Sequence, residues 1–216
     1  MCHSRPPFVS ARKGHSMSKT VYSSSNSMVW EYFGIVYRLA AALDSDDDQK
    51  RRQNTALCVL LAVTAVEAFF NLYFQVLVTA SPYSEHEQSI RHWLSKPRSL
   101  DAKITEWPKR IFKQPIDMST GIGKRFADLK RLRNKLMHFS DLQKSVPIAG
   151  THIHNFSDIT FYENLKDSDA WNAYHTALRF IVEVLKLEGG TDEALAVRTV
   201  RWTAVSLPVI LEFSEI

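Results

Sequence analysis

Residues 133–138 (Arg-Asn-Lys-Leu-Met-His) carry the side chains of this sequence best suited to phosphodiester chemistry. Histidine titrates near neutral pH, so His138 can accept or donate a proton. Arginine stays charged and binds phosphate oxygens in a bidentate manner, so Arg133 can stabilise a phosphate. RNA cleavage needs both functions, because the ribose 2′-hydroxyl must lose a proton to attack a phosphate whose added negative charge needs stabilisation. DNA lacks that hydroxyl, so this chemistry selects RNA and requires no metal ion.

The spacing of these side chains fits one end of a helix. Asn134 lies four residues before His138, so the two share a helical face. Arg133 lies about 140° from His138 on an ideal helical wheel. Fraying of the last turn and a long arginine side chain can bring the two groups together. An Arg and a His at this spacing also occur by chance, and the helix dipole favours a histidine at a C-terminus. Spacing alone therefore does not identify a catalytic site.

The helix predicted to carry this motif, residues 119–138, is rich in cations. Within residues 91–135 taken together, basic residues outnumber acidic ones, although the net charge of the whole chain is only +4. Such a segment can bind a polyanion, or it can be a solvated helix face. The residues that we expect to hold the RNA backbone are Lys124, Arg125, Lys130, Arg131 and Lys135.

The elements that must position these residues are predicted to be helices. Only 7 glycines and 8 prolines occur in 216 residues, which argues against a many-stranded fold. Apolar residues recur at helical spacing, and the predicted helices span residues 27–43, 49–80, 84–94, 98–112, 119–138 and 167–187. Residues 147–164 indicate an irregular loop or short strand, and 194–213 are ambiguous between strand and helix. Residues 1–26 have the composition of a disordered extension, in which Met17 could be the natural start.

The segment 49–80 is apolar enough to suggest either a transmembrane helix or a buried core helix. Its polar residues favour the core helix, because Thr64, Glu67, Asn71 and Gln75 form one helical stripe that can face a polar site. A carboxylate inside a membrane costs roughly 2.5–3.5 kcal/mol. We therefore expect a cytoplasmic protein without a membrane span.

Three features in this order resemble the HEPN superfamily (higher eukaryotes and prokaryotes nucleotide-binding domains). Residues 133–138 resemble its Arg-x(4–6)-His motif. Residues 65–71 (Ala-Val-Glu-Ala-Phe-Phe-Asn) are similar to the long second helix of many bacterial members. Residues 99–103, followed by Trp107 and Pro108, are similar to a connector found in several of them. The resemblance covers roughly residues 27–187.

The resemblance implies an all-α, up-and-down helical bundle over residues 27–188, which usually dimerises. Residues 189–216 do not map onto the family, and we expect a short irregular or β-like addition there. Family members with the intact motif are commonly metal-independent ribonucleases of toxin–antitoxin or phage-defence systems. The resemblance implies no cofactor, RNA as substrate, and a possible antitoxin or nucleotidyltransferase partner.

The resemblance also assigns roles to individual residues. His138 is the implied general acid/base, Arg133 the phosphate-stabilising group, and Asn134 a residue that orients or polarises. Glu67 and Asn71 are the implied polar support on the second helix. The alternative is a non-catalytic module of the same fold that binds nucleotide, RNA or protein.

Overall fold

A computed structural model describes residues 26–43, 47–96, 98–137, 143–148, 151–157 and 159–212 of the chain. Within them it contains nine α-helices and one β-hairpin, so the predicted all-α fold is confirmed. The helices are α1 (Ser27–Ala41), α2 (Asp48–Leu77), α3 (Glu87–Leu94), α4 (Leu100–Ile111), α5 (Gly121–Met137), α6 (Thr160–Glu163), α7 (Asp167–Lys186), α8 (Asp192–Thr203) and α9 (Leu207–Glu212). The 3₁₀ turn Ser84–His86 precedes α3, and the hairpin lies between α5 and α6.

The long helix α2 is the central element of the bundle. It packs mainly against α1 and α7, and it also contacts α3, α4, α5 and α6. Asp47 caps its N-terminus by accepting a hydrogen bond from the backbone N–H of Lys50 at 3.1 Å. Because neighbours surround it on several sides, α2 can be apolar over most of its circumference.

Aromatic residues near the C-terminal end of α2 connect it to the surrounding helices. Phe70 stacks on Phe180 of α7 at 6.3 Å between ring centroids, and Phe180 in turn stacks on Phe126 of α5 at 4.1 Å. Phe74 contacts Trp107 of α4 edge-on at 5.5 Å. All of these rings are almost completely buried. Burial of a large aromatic side chain contributes about 1.5–3 kcal/mol, so this cluster fixes α4, α5 and α7 on one core helix.

The start of α5 is fixed by a tight turn over residues 117–120. Asp117 accepts hydrogen bonds from the backbone N–H of Ser119 at 2.8 Å and from the hydroxyls of Ser119 and Thr120 at 2.6 Å and 2.5 Å. A Cβ on Gly123 would lie 1.9 Å from the carbonyl oxygen of Asp117. Only glycine therefore allows the turn to approach the first turn of α5 this closely.

The segment predicted as an irregular loop or short strand contains part of a β-hairpin. Strand β1 (Gln143–Ile148) pairs antiparallel with β2 (Thr151–Ser157), with Ile148 opposite Thr151 and Gln143 opposite Ser157. The register shifts between Lys144 and Val146, as at a β-bulge.

The expectation of an irregular or β-like addition after residue 188 is wrong, because α8 and α9 occupy this segment. The loose alternation of residues 196–202 suggested a strand, but Leu195, Thr199 and Trp202 recur at helical spacing and are buried. Thr191 caps α8 by accepting a hydrogen bond from the backbone N–H of Ala194 at 3.3 Å. The helical bundle thus extends beyond residue 188.

The first and eighth helices meet at one backbone carbonyl. The side-chain amide of Asn26 and the indole N–H of Trp30 both donate to the carbonyl oxygen of Arg201, the latter at 2.9 Å. Trp202 packs edge-on against Phe69 and Tyr73 of α2 at 5.5 Å. The C-terminal helices therefore form part of the core.

Candidate functional site

Glu67 of α2 is the centre of an ion-pair cluster formed by three helices. Its Oε1 atom lies 2.9 Å from Nζ of Lys103 on α4, and its Oε2 atom lies 3.8 Å from Nη2 of Arg133 on α5. Two residues predicted to act together, Glu67 and Arg133, are thus neighbours in the structure. Glu67, a member of the polar stripe of α2, thus faces the last turns of α5.

Lys103 reaches Glu67 because α4 begins at a defined residue. Ser99 caps this helix by accepting a hydrogen bond from the backbone N–H of Ala102 at 3.2 Å, as its position in the sequence predicts. Lys103 lies one turn into α4, on the buried side with Leu100, Ile104 and Trp107. The side chain of Lys103 is only 9% exposed, so its ammonium group depends on Glu67 for charge compensation.

Arg133 is partly exposed and is held from two sides. Its side chain is 26% exposed, and its Nη1 atom donates a hydrogen bond to Oδ1 of the adjacent Asn134 at 3.1 Å. These contacts limit the orientations of the guanidinium group near the C-terminal end of α5. His138 lies outside the described residues, so its convergence with Arg133 stays a prediction.

Asn71, one turn after Glu67, contributes a buried polar atom. Its Oδ1 atom is buried, and no residue in the described part of the chain donates a hydrogen bond to it. A buried acceptor without a donor costs about 1–3 kcal/mol. Asn71 was predicted to give polar support beside Glu67. Within the described segments, its Oδ1 atom accepts no hydrogen bond.

The cations expected to hold RNA do not form one continuous face of α5. Lys124 and Arg131 both pair with Asp128, the former at 3.1 Å between Nζ and Oδ2. Lys130 points towards α4 and pairs with Asp101. The remaining two members of the predicted set are Arg125 and Lys135, both exposed.

Among the described residues, the cluster around Glu67 has an excess of positive charge. Lys103, Lys130 and Arg133 contribute three positive charges, while Glu67 and Asp101 contribute two negative charges, which leaves one positive charge. Burial, the guanidinium of Arg133 and that of Arg131 lower the pKa of Lys130. This unbalanced positive charge makes the C-terminal end of α5 suitable for an anion.

The role of Lys103 was missed in the sequence analysis, although a signal for it exists. Leu100, Ile104, Trp107 and Ile111 form the apolar stripe of α4, and Lys103 interrupts that stripe. A lysine in an apolar stripe needs a buried partner. Glu67, the one acidic residue in the apolar part of α2, is the corresponding carboxylate.

Comparisons of the chain with protein-family models, with curated proteins and with solved structures find no match.

Proposed function

We propose that this protein is a metal-independent endoribonuclease of the HEPN type. The observation that carries the proposal is the position of Arg133, which is held near the end of α5 at 3.8 Å from Glu67 in a cluster with excess positive charge. His138 follows the last residue of α5, Met137, in the sequence. The proposed site consists of Arg133, Asn134 and His138, with Glu67 and Asn71 as support from α2.

The proposed reaction is an internal attack of the ribose 2′-oxygen on the adjacent phosphorus. His138 removes the 2′-hydroxyl proton, the bond from O2′ to phosphorus forms, and the bond from phosphorus to the leaving O5′ breaks. The leaving oxygen takes up a proton from an imidazolium, which gives a 2′,3′-cyclic phosphate and a 5′-hydroxyl. Arg133 stabilises the charge that builds up on the phosphoryl oxygens.

Partial pairing of Arg133 with Glu67 fits this role. At 3.8 Å the contact is longer than a charge-assisted hydrogen bond of about 2.7–2.9 Å, so the carboxylate orients the guanidinium without a close hydrogen bond. Lys103 neutralises the same carboxylate at the shorter distance of 2.9 Å. A bound phosphate would therefore meet an arginine whose charge is only partly compensated.

The proposal extends to assembly and biological role. A homodimer would bring two copies of the site to one cleft, so that one His138 could act as base and the other as acid. We propose a role in a toxin–antitoxin or phage-defence system, with an antitoxin or nucleotidyltransferase as protein partner. For the dimer, light scattering should give a molar mass of twice the 24.7 kDa of one chain.

RNA cleavage by the purified full chain in EDTA tests the proposed activity. We expect products with 2′,3′-cyclic phosphate ends. Substitution of His138→Ala should lower kcat by about 10²–10⁴-fold, since a general acid/base contributes that much, and Arg133→Gln should lower kcat as well. Arg91→Gln is a matched control, because Arg91 is an exposed arginine of α3 that pairs with Glu87.

Circular dichroism and light scattering of each variant separate loss of chemistry from loss of fold or dimer. The proposal is wrong if folded His138→Ala protein cleaves RNA at the parent rate. It is also wrong if the parent protein cleaves only when a divalent metal is added.

The involvement of most α5 cations in ion pairs favours a second candidate function. Lys124, Lys130 and Arg131 each have a carboxylate partner within the chain. A bundle in which such cations serve stability could bind nucleotide, RNA or protein without cleaving anything. Saturable RNA binding without cyclic phosphate products would support this non-catalytic module.

A further inference from the structure

A cavity of about 540 Å³ lies between α1, α5 and α7. Its walls include Tyr37 of α1, Arg125 of α5, and Trp171, His175 and Arg179 of α7. Neither Arg133 nor Glu67 lines it, so it differs from the proposed catalytic site, although Arg125 is also one of the cations expected to hold RNA. Its volume is in the range of about 300–1,000 Å³ that is usual for small-molecule sites.

One wall of this cavity is built from three aromatic rings, of which Trp171 contacts the other two. Trp171 stacks on His175 at 5.8 Å with an angle of 16° between the ring planes, and it meets Tyr37 edge-on at 5.8 Å. Trp171 and His175 are four residues apart on α7, so the helix itself fixes their stacking. This wall presents a preformed apolar surface with which a planar ring can make stacking or edge contacts.

The charged residues of the cavity are all cationic. Arg125 and Arg179 line it, and none of its described lining residues is an Asp or Glu. Unlike Lys124, Lys130, Arg131 and Arg133, these two arginines form no ion pair with any described carboxylate. The acids of the adjoining cleft are engaged elsewhere, since Asp128 binds Lys124 and Arg131, and Asp169 accepts a hydrogen bond from the backbone N–H of Lys166.

The guanidinium groups of Arg125 and Arg179 have no described carboxylate partner, so both can bind an anion that enters the cavity. Guanidinium groups bind carboxylate and phosphate oxygens in a bidentate manner. Burial and the nearby charge of Arg179 lower the pKa of His175, so near neutral pH the neutral imidazole dominates at this wall. The positive charge of the cavity thus comes from the two arginines.

We propose that this cavity is a binding site for a small organic anion that carries a planar aromatic ring. The ring contacts the wall formed by Tyr37 and Trp171, and the anionic group binds Arg125 and Arg179. An aromatic carboxylate and a nucleoside monophosphate share this chemistry. The proposal does not depend on the ribonuclease activity, because it involves a different cavity and a different measurement.

Isothermal titration calorimetry of the full chain tests the site with four probes. Indole-3-carboxylate and adenosine 5′-monophosphate carry both ring and charge, adenosine carries only the ring, and inorganic phosphate carries only the charge. We expect at least one of the first two probes to bind with one site per chain. Adenosine and phosphate should bind at least tenfold more weakly. The stronger of the two anions identifies the ligand class as carboxylate or phosphate.

Two substitutions locate the binding. Arg179→Gln and Trp171→Leu should each raise the dissociation constant at least tenfold, whereas Arg91→Gln on the distant helix α3 should leave it unchanged. Arg179→Gln keeps the test decisive if the tryptophan variant fails to fold. The proposal is overturned if neither anion binds saturably, if adenosine binds as tightly as its monophosphate and indole-3-carboxylate does not bind, or if folded Arg179→Gln protein binds like the parent.

Discussion

Glu67 compensates two cations that differ in their access to water. The Lys103 side chain is 9% exposed, that of Arg133 is 26% exposed, and that of Glu67 itself is 31% exposed. The carboxylate and the guanidinium can therefore regain part of their hydration if a partner is lost, but the ammonium group of Lys103 cannot. Removal of the carboxylate and removal of the lysine should thus have unequal costs.

Glu67→Gln is expected to lower the free energy of unfolding by about 1–3 kcal/mol, because it leaves a nearly buried ammonium without a countercharge. Lys103→Met keeps the shape of the side chain and leaves Glu67 with Arg133 and solvent, so its cost should be under about 1 kcal/mol. Urea denaturation of both variants measures the difference. If Lys103→Met lowered the free energy of unfolding more than Glu67→Gln does, this asymmetry would be contradicted.

At the scale of single elements, α5 depends on the turn that precedes it. Asp117 organises the turn through its hydrogen bonds to Ser119 and Thr120, and Gly123 lets the Asp117 carbonyl approach the helix. Since Arg133 lies on the same helix, this turn also sets the position of the candidate site.

Gly123→Ala should lower the free energy of unfolding by about 1–3 kcal/mol, because the new methyl group meets a backbone carbonyl that cannot move away freely. Gly34→Ala is the control. Gly34 also lies inside a helix, but an added Cβ there meets only the end of the Arg38 side chain at 3.4 Å. Thermal melts should show no loss of stability for Gly34→Ala. Equal melting temperatures for the two variants would rule out the steric account.

The turn should also make stability depend on pH in the acidic range. Hydrogen bonds from Ser119 and Thr120 lower the pKa of Asp117 from 3.8 to about 2. Because the folded-state pKa is depressed, the ionised carboxylate stabilises the fold above pH 4, and this stabilisation is lost as pH falls from about 4 to 2.

Melting temperatures of the parent and of Asp117→Ala should therefore differ at pH 5 and converge towards pH 2. Glu106→Ala, at an exposed position of α4, is the control and should keep a constant offset from the parent. A constant offset for Asp117→Ala would show that its hydrogen bonds do not depend on ionisation.

Periodic patterns in the sequence predict most of the helices, including the extent of α2, α4, α5 and α7 to within a few residues. They work there because α4, α5 and α7 each bury one continuous stripe, α2 is a long apolar stretch, and α4 also has the Ser99 cap. The same method fails for α8, because this short segment fits a strand pattern as well as a helix pattern. The packing of Trp202 on α2 selects the helix. The proximity of Glu67 to Arg133 follows from the polar stripe, but the cavity between α1, α5 and α7 depends on tertiary packing that periodicity does not specify.

At the scale of the whole molecule, α2 is the described helix that could be either a core helix or a membrane span. It is the one helix among the described residues that is long and apolar enough to cross a bilayer. However, 56% of its most apolar part is buried against other helices, and Glu67 lies in the same helix. This packing favours the role of core helix.

We therefore expect the expressed chain to stay in the supernatant after high-speed centrifugation without detergent. The packing of α1 and α7 against α2 removes part of its apolar surface from contact with lipid. Immunoblots of supernatant and pellet, before and after carbonate extraction, measure the distribution. A pellet that only detergent dissolves would mean that α2 spans a membrane.

The packing of Trp202 on Phe69 and Tyr73 has a consequence for the nascent chain. The ribosome makes α2 long before α8, and at about 5–20 residues per second the interval is roughly 6–25 s. During that time the rings of Phe69 and Tyr73 lack the indole that covers them in the finished bundle. Translation that stops before Trp202 would release a chain with an uncovered aromatic surface, a substrate for chaperones and proteases.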